Sequence, residues 1–436
     1  MFRAGFAKTC ISPPLGAPLA GFAARQGVAQ GVHDDVFVRA LVLETDEARV
    51  ALLSADLLAL PHRFVEDVRR RIAARTGIEA SGILIACTHT HSGPVTISTF
   101  VNPDETLDAS YMNRLADSIE QTVVAACGSS FPARVGVATG RVQGLGVNRR
   151  TPDHKPMDDE LAIIRVDDAE GHTRALAVQY SCHPTVLGPD NLLVSGDFPA
   201  ATIDRIEGAL GAGAFAMFLN GTQGNISVGH SSELSAIGVI TPGRTFERAA
   251  ELGSTLGDAA LAALASIRTT GQPRIAASTL TIQLPLKKYP PLQETAEALR
   301  QAQQRVAGLN GSSDEQLRKA KSDLLYASID HYYARESARF ADGSIPIELQ
   351  GIRIENAAFF AVPAEVFVET GLRIKKTSRH QAFIVGITNG YIGYLPDRAS
   401  YAAGGYEVVS ARVTEDSEDE LVRGVMDLEA RLFASA

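Results

Sequence analysis

An α/β fold is predicted here: a mixed β-sheet core flanked by helices, with an added helical hairpin. Three observations carry it. Short apolar runs of strand length alternate with segments of helical spacing. Two pairs of those runs return through acidic turns as hairpins, which makes the sheet mixed rather than purely parallel. Residues 289–337 are rich in Gln, Glu, Arg and Ala at helical spacing and break at 308–314, which reads as a solvated helical hairpin.

Taken in order, residues 1–14 form a first strand running into a turn at Pro13-Pro14, with no continuous apolar stretch of the secretory kind. Residues 36–58 give a strand, a turn at Thr45-Asp46-Glu47-Ala48 and a second strand. A helix over 63–75 follows, with Phe64, Val68 and Ile72 on one face. Residues 82–87 are a buried strand, and 111–126 a helix. Residues 160–180 form another hairpin, followed by a helix after Asp197, a strand over 214–219, a strand over 357–362 and a last helix near 416–433. With no internal repeat and no low-complexity linker, residues 1–436 are expected to be one domain, with 289–337 inserted in it.

The 436 residues are 45% hydrophobic and 21% charged, as in a globular protein with a substantial core. A formal net charge of −9 and the lack of any Lys/Arg-rich run argue against a nucleic-acid partner. No run approaches 18 apolar residues, so no transmembrane helix is expected. The four cysteines (Cys10, Cys87, Cys127 and Cys182) are scattered without a CxxC, which fits a reducing, cytoplasmic location. The sequence carries no signal for an oligomeric state.

Polar, glycine-rich loops repeatedly follow the apolar strands, where open α/β sheets place their ligands. The first is Thr88-His89-Thr90-His91-Ser92-Gly93-Pro94. If extended geometry persists past the strand, His89 and His91 point the same way, one able to hold a metal and the other to move a proton; the alternative is a surface loop. His183, before Pro184 at a strand end, is either a rigid ligand or a partner of a backbone carbonyl. Glu365 lies at the start of an expected helix, where the macrodipole favours a carboxylate. Tyr391, Tyr394, Tyr401 and Tyr406 cluster after it and on their own read as core or surface aromatics.

Taken as an ordered set, these motifs resemble the neutral, non-lysosomal ceramidases. The likeness rests on Thr88–Pro94, Cys182-His183-Pro184-Thr185, Gly224-Asn225-Ile226-Ser227, Val362-Pro363-Ala364-Glu365, Asn389-Gly390-Tyr391 with Tyr394, Tyr401 and Tyr406-Glu407, and Asn148-Arg149. Asp34-Asp35, Arg39-Ala40 and Ser54-Ala55-Asp56 are similar to that family's early strands. The resemblance covers the catalytic domain; the family's C-terminal immunoglobulin-like domain is expected to be absent, and Asn225 stands where an acidic residue is usual. It implies zinc (Zn²⁺) held by His89, His183, Glu365 and Tyr394, with His91 as proton carrier, Arg149 and Tyr406 facing the scissile carbonyl, and Ser227 lining the site. Such chemistry is coherent: water on zinc ionises near neutral pH, cationic and phenolic donors stabilise an oxyanion, and a histidine protonates the leaving nitrogen.

The expectation is therefore a zinc-dependent hydrolase of an amide (N-acyl) bond, acting on a soluble non-ceramide amide, ester or lactone. A true ceramidase and a non-catalytic zinc- or ligand-binding protein are the alternatives. A serine hydrolase using Ser227 or Ser92 lacks a Gly-x-Ser-x-Gly elbow. Cysteine ligation is disfavoured because Cys182 would face away from His183 on an extended strand. The pocket walls are expected from residues 95–107 and 232–245, with the 289–337 hairpin a lid, a subunit contact or exterior packing.

Overall fold

The computed structural model of the chain describes residues 1–100, 107–309 and 313–434. In order along the chain run β1 (Arg3–Cys10), β2 (Phe37–Glu44), β3 (Arg49–Ala55), α1 (His62–Thr76), β4 (Ile83–Cys87), α2 (Ala109–Gly128), β5 (Phe131–Arg141), β6 (Glu160–Asp168), β7 (Thr173–Tyr180), α3 (Asp197–Leu210) and β8 (Phe215–Asn220). Then follow α4 (Phe246–Ala263), β9 (Ile275–Pro285), α5 (Leu292–Ala307), α6 (Asp314–Ser337), β10 (Ser344–Ile354), β11 (Ala357–Ala361), α7 (Val368–Thr377), β12 (Gln381–Val385) and α8 (Ser417–Ala434).

The first eight strands make one sheet in the order β8-β7-β6-β5-β1-β2-β3-β4. Its outer pairs, β8 with β7 and β3 with β4, are parallel, and the pairs between them are antiparallel. A second sheet, β9-β10-β11-β12, is antiparallel except for β11 with β12. Both are mixed; the hairpins predict this for the first sheet and do not foresee the second.

The residue pattern explains the layering. Strand β2 is nearly all apolar because both of its faces are covered. Leu41 and Leu43 point into a core shared with Ile352, Phe359 and Phe383 of the second sheet. Val38, Ala40 and Val42 point the other way, onto Val68 and Ile72 of α1 and Leu115 and Ile119 of α2. Helices α3 and α4 cover the β6–β8 end through Phe198, Ile203 and Leu256. On the far side of the second sheet lies α8, whose Leu421, Val425, Leu428 and Leu432 recur at helical spacing. Full burial of each such side chain contributes roughly 1.5–3 kcal/mol. The result is helices, sheet, sheet, helices.

Two local expectations change. The strands Ile275–Pro285 and Ser344–Ile354 escape a sequence reading, since β9 alternates only weakly between partly buried and exposed residues. Glu365 does not begin a helix. Its N–H bonds to Gly393 O at 3.0 Å, and Glu365–Val366 pair in parallel with Tyr394–Leu395. This holds the segment extended, so α7 starts only at Val368, whose N–H is capped by Asn225 Oδ1 at 2.9 Å.

The 289–337 segment forms the helix pair α5 and α6, the second opened by a capping box between Ser313 and Gln316. Its expected break at 308–314 and the expected pocket wall at 95–107 lie partly outside the described residues. No helix among the described residues is long and apolar enough to cross a membrane.

Candidate metal and catalytic site

The site forms where both sheets end. Past β4, Thr88 N and His89 N bond to Ala55 O and Leu57 O at 2.9 and 3.0 Å, carrying the backbone across the sheet edge. His89 adopts φ +70°, so extended geometry does not persist and a left-handed turn, rather than strand alternation, brings the two histidines together. Their ring centroids lie 5.0 Å apart. His183 follows β7, and its ring centroid is 5.1 Å from that of His89. One ring nitrogen each from His89, His91 and His183 lies within 4.8 Å of the other two, a spacing that could hold a metal ion.

Hydrogen-bond polarity then tests the site for a cation. His89 Nδ1 meets Leu58 O at 2.8 Å, and His183 Nδ1 meets Gln223 O at 2.6 Å. Carbonyls only accept, so both Nδ1 atoms donate. In the neutral rings, each Nε2 therefore turns a lone pair toward Glu365 Oε2, at 3.5 Å from His89 and 2.8 Å from His183. Three buried acceptors facing one another repel, and a metal ion between them removes the conflict. A backbone carbonyl on the far nitrogen is also the usual second contact of a metal-bound histidine. Both ring nitrogens of His91 are buried and, among the described residues, without a partner.

Electrostatics agree. Burial, then Arg149, lowers the His183 pKa to about 4, so the ring stays neutral. Burial and the neighbouring His89 and His183 hold His91 well below its usual value. For Glu365 burial alone would raise the pKa, and only positive charge or donation from the side of His89 and His183 brings it down; with both rings neutral and donating through Nδ1, a cation is what would supply that charge.

Glu365 Oε1 accepts from Tyr391 OH at 2.6 Å. Tyr394 OH accepts from Arg149 Nη2 at 3.1 Å, and its ring stacks 6.4 Å from His183. Arg149 is itself clamped by Glu407 Oε1 at 2.8 Å and Gly224 O at 2.9 Å, and Glu407 also takes Arg150 and Ser232. Tyr406 lies 6.0 Å from Tyr394, ring to ring, and lines the same cavity; burial first, then Glu365, keeps its phenol protonated.

Of the residues singled out in the sequence, the structure thus brings together His89, His91, His183, Glu365, Arg149, Tyr394 and Tyr406. Ser227 stands apart from the cavity wall and donates to His230 O at 2.9 Å. Asn225 spends its side chain on Val368 N and Glu369 rather than on Ser227. Cys87 and Cys182 are core residues whose thiols burial holds protonated.

The cavity has two branches meeting at His91, Tyr394 and Tyr406. One is walled by Ile97, Phe100, Tyr332, Tyr333 and Arg412, so the hairpin helix α6 contributes directly to the site. The other is walled by His230, Ser231, Ser232 and Ser235, within the expected 232–245 loop except for its first two residues. Sequence reasoning missed Gly21, His230, Tyr333 and Arg412, which belong to no motif.

Comparison with known proteins gives the same direction. A family profile described as neutral/alkaline non-lysosomal ceramidase, N-terminal, matches residues 2–213. A neutral ceramidase of Drosophila pseudoobscura pseudoobscura is 25% identical over 222 residues, which is 45% of this chain and 30% of that protein. One from Oryza sativa subsp. japonica is 27% identical over 221 residues, 45% of this chain and 27% of that protein. The alignments thus span under a third of these relatives. The crystal structure of neutral ceramidase from Pseudomonas aeruginosa superposes with a TM-score of 0.75 at 19% identity, covering 99% of this chain and 74% of that one. That likeness extends the shared fold across the whole chain.

Proposed function

Through residues 2–213 this chain belongs to the neutral/alkaline non-lysosomal ceramidase family, and on that premise we propose that it is a zinc-dependent hydrolase of an amide (N-acyl) bond. One observation carries the reading: two buried Nε2 lone pairs converge on the ionised Glu365, an arrangement that a bound cation completes. His89, His183, Glu365 and Tyr394 would hold the ion; imidazole and carboxylate donors suit zinc, and Tyr394, its phenol held protonated by burial, would be the weakest of the four. Zinc bound there acts as a Lewis acid and brings the pKa of water to about 7.

The chain's own groups do the rest. His91, neutral and without a protein partner, takes a proton from the attacking water and returns it to the leaving nitrogen. Arg149, fixed by Glu407, and the Tyr406 phenol, fixed against Tyr394, donate toward the carbonyl oxygen as it gains charge. Ser227 acts at a distance, by holding the turn that carries His230.

The substrate proposed is a soluble amide, with esters and lactones as related electrophiles. The support is the wall of Phe100, Tyr332, Tyr333 and Arg412, which mixes aromatic surface with a charge. The experiment is metal analysis of the purified protein beside a panel of N-acyl amides, esters, lactones and a ceramide, each assayed with and without chelator. Chelator-sensitive hydrolysis of a soluble amide is expected. Turnover of the ceramide alone would overturn the substrate class, activity surviving complete metal removal would overturn the mechanism, and metal without any turnover would make this a binding protein.

A further inference from the structure

We propose that Arg412 is the receptor for a carboxylate on the substrate, so that the bond cleaved belongs to an N-acyl amino acid or to the half-amide of a dicarboxylic acid. This names the substrate class of the hydrolase reading and rests on it.

Arg412 lines the aromatic branch of the cavity with Phe100, Tyr332, Tyr333 and Ile392. Its Nε is shut off from solvent and has no hydrogen-bond partner. Among the described residues its guanidinium has no ion pair, and it stacks over no ring. Every other arginine around the site is engaged. Arg149 and Arg150 share Glu407, Arg25 donates to Ala20 O and His91 O, and Arg244 donates to Leu187 O.

Among the described residues no acid of the adjoining walls forms an ion pair with Arg412, and Asp330 of α6 faces Lys287 instead. Glu365 faces the histidines and Tyr391, and Glu336 pairs with Arg339 at 2.9 Å. A guanidinium stays charged at any ordinary pH and offers five donors in a planar fork. Leaving such a group half-buried and unpaired is costly, and a ligand carboxylate matching the fork in bidentate fashion removes the cost.

The backbone fixes the receptor relative to the reaction centre. Arg412 O accepts from Lys287 N at 2.8 Å, and Leu286 bridges Val413. Ala411 bridges Gly393, the residue before Tyr394. The guanidinium and the Tyr394 phenol therefore stand on neighbouring backbone, one on the cavity's aromatic branch and the other where both branches meet.

The test uses two matched pairs on the metal-loaded protein. N-octanoylglycine against N-octanoylglycinamide puts the charge on the leaving amine; N-hexylsuccinamic acid against its carboxamide puts it on the acyl side. For each compound kcat/KM is measured, and equilibrium binding is followed by thermal-shift titration so that the result does not depend on turnover. In the wild type one pair should favour the carboxylate by about 10- to 100-fold, the range a charge-assisted hydrogen bond supplies. Arg412→Gln should abolish that ratio, lowering kcat/KM and binding of the carboxylate member about 10- to 100-fold more than those of the neutral member, and Arg412→Lys should restore part of it. Equal handling of both members in both pairs, or a ratio that persists in Arg412→Gln, overturns the proposal. Absence of hydrolysis with the binding ratio intact would instead strike the hydrolase reading and leave the receptor standing.

Discussion

His89 shows how much one residue is asked to do. At φ +70° it occupies a region that branched and bulky side chains rarely adopt, and its Nδ1 bond to Leu58 O aims Nε2 at Glu365. His89→Ala should lose the metal, whereas His91→Ala should keep it and lose about 10²–10⁴-fold in kcat, read by metal analysis and kinetics on the same preparations. Both variants retaining metal and activity would refute the division of labour. Gly21 supports His91 from behind: a Cβ there would come within 2.4 Å of the ring, at φ +100°. Gly21→Ala should therefore lower kcat about tenfold or more with metal content unchanged; wild-type kcat would count against a tight cradle.

His230 gives a pH signature. Burial, then Arg244, lowers its pKa from 6.5 to about 4. Between those values the unfolded chain binds the extra proton, so the His230 contribution is present above pH 6.5 and lost as pH falls toward 4. The stability difference between wild type and His230→Asn in urea should narrow by about 1–2 kcal/mol from pH 7.5 to 4.5. Parallel pH curves would rule this out.

At the level of elements, the contacts between segments decide which side chains meet. Asn389, at φ +62°, accepts from Ile85 N at 2.9 Å and donates to Gln350 at 2.7 Å, tying β4 to β10. Asn389→Ala strands the buried Ile85 N–H, while Gln350 Oε1 keeps Arg69 as a donor, and should cost about 1–3 kcal/mol in chemical denaturation; a cost under about 0.5 kcal/mol would mean the sheets are held without it. The α5–α6 hairpin is more than exterior packing, since Tyr332 OH reaches Ser98 O at 3.1 Å and Tyr333 is buried in the cavity wall. Its Gln- and Glu-rich sequence gave the helices and nothing of that contact. The pairing of Glu365–Val366 with Tyr394–Leu395 was equally hidden, because two-residue strands carry no periodicity.

Across the whole molecule, two sheets share one core, and the site lies at their common edge, where residues from far apart in sequence converge. A buried carboxylate facing two imidazoles is the place where metal binding becomes folding energy. Removing the metal should lower Tm by roughly 5 °C or more, with recovery when zinc is restored. Superposable melting curves in chelator and in zinc would show that the cluster is stable empty.

Hydrophobic period and punctuation are local, so the sequence alone determined that strands and helices alternate, that a sheet carrying the two hairpins is mixed, and that polar loops follow the strands. The ordered motifs also marked His89, His91, His183, Glu365 and Tyr394. Hydrogen-bond polarity and charge pairing are not local. Only the tertiary structure decided that two sheets form, that Glu365 is extended rather than helical, that two lone pairs face its carboxylate, and that Arg412 enters the cavity with no ion pair among the described residues. Each depends on which groups from remote segments become neighbours once water has been excluded between them.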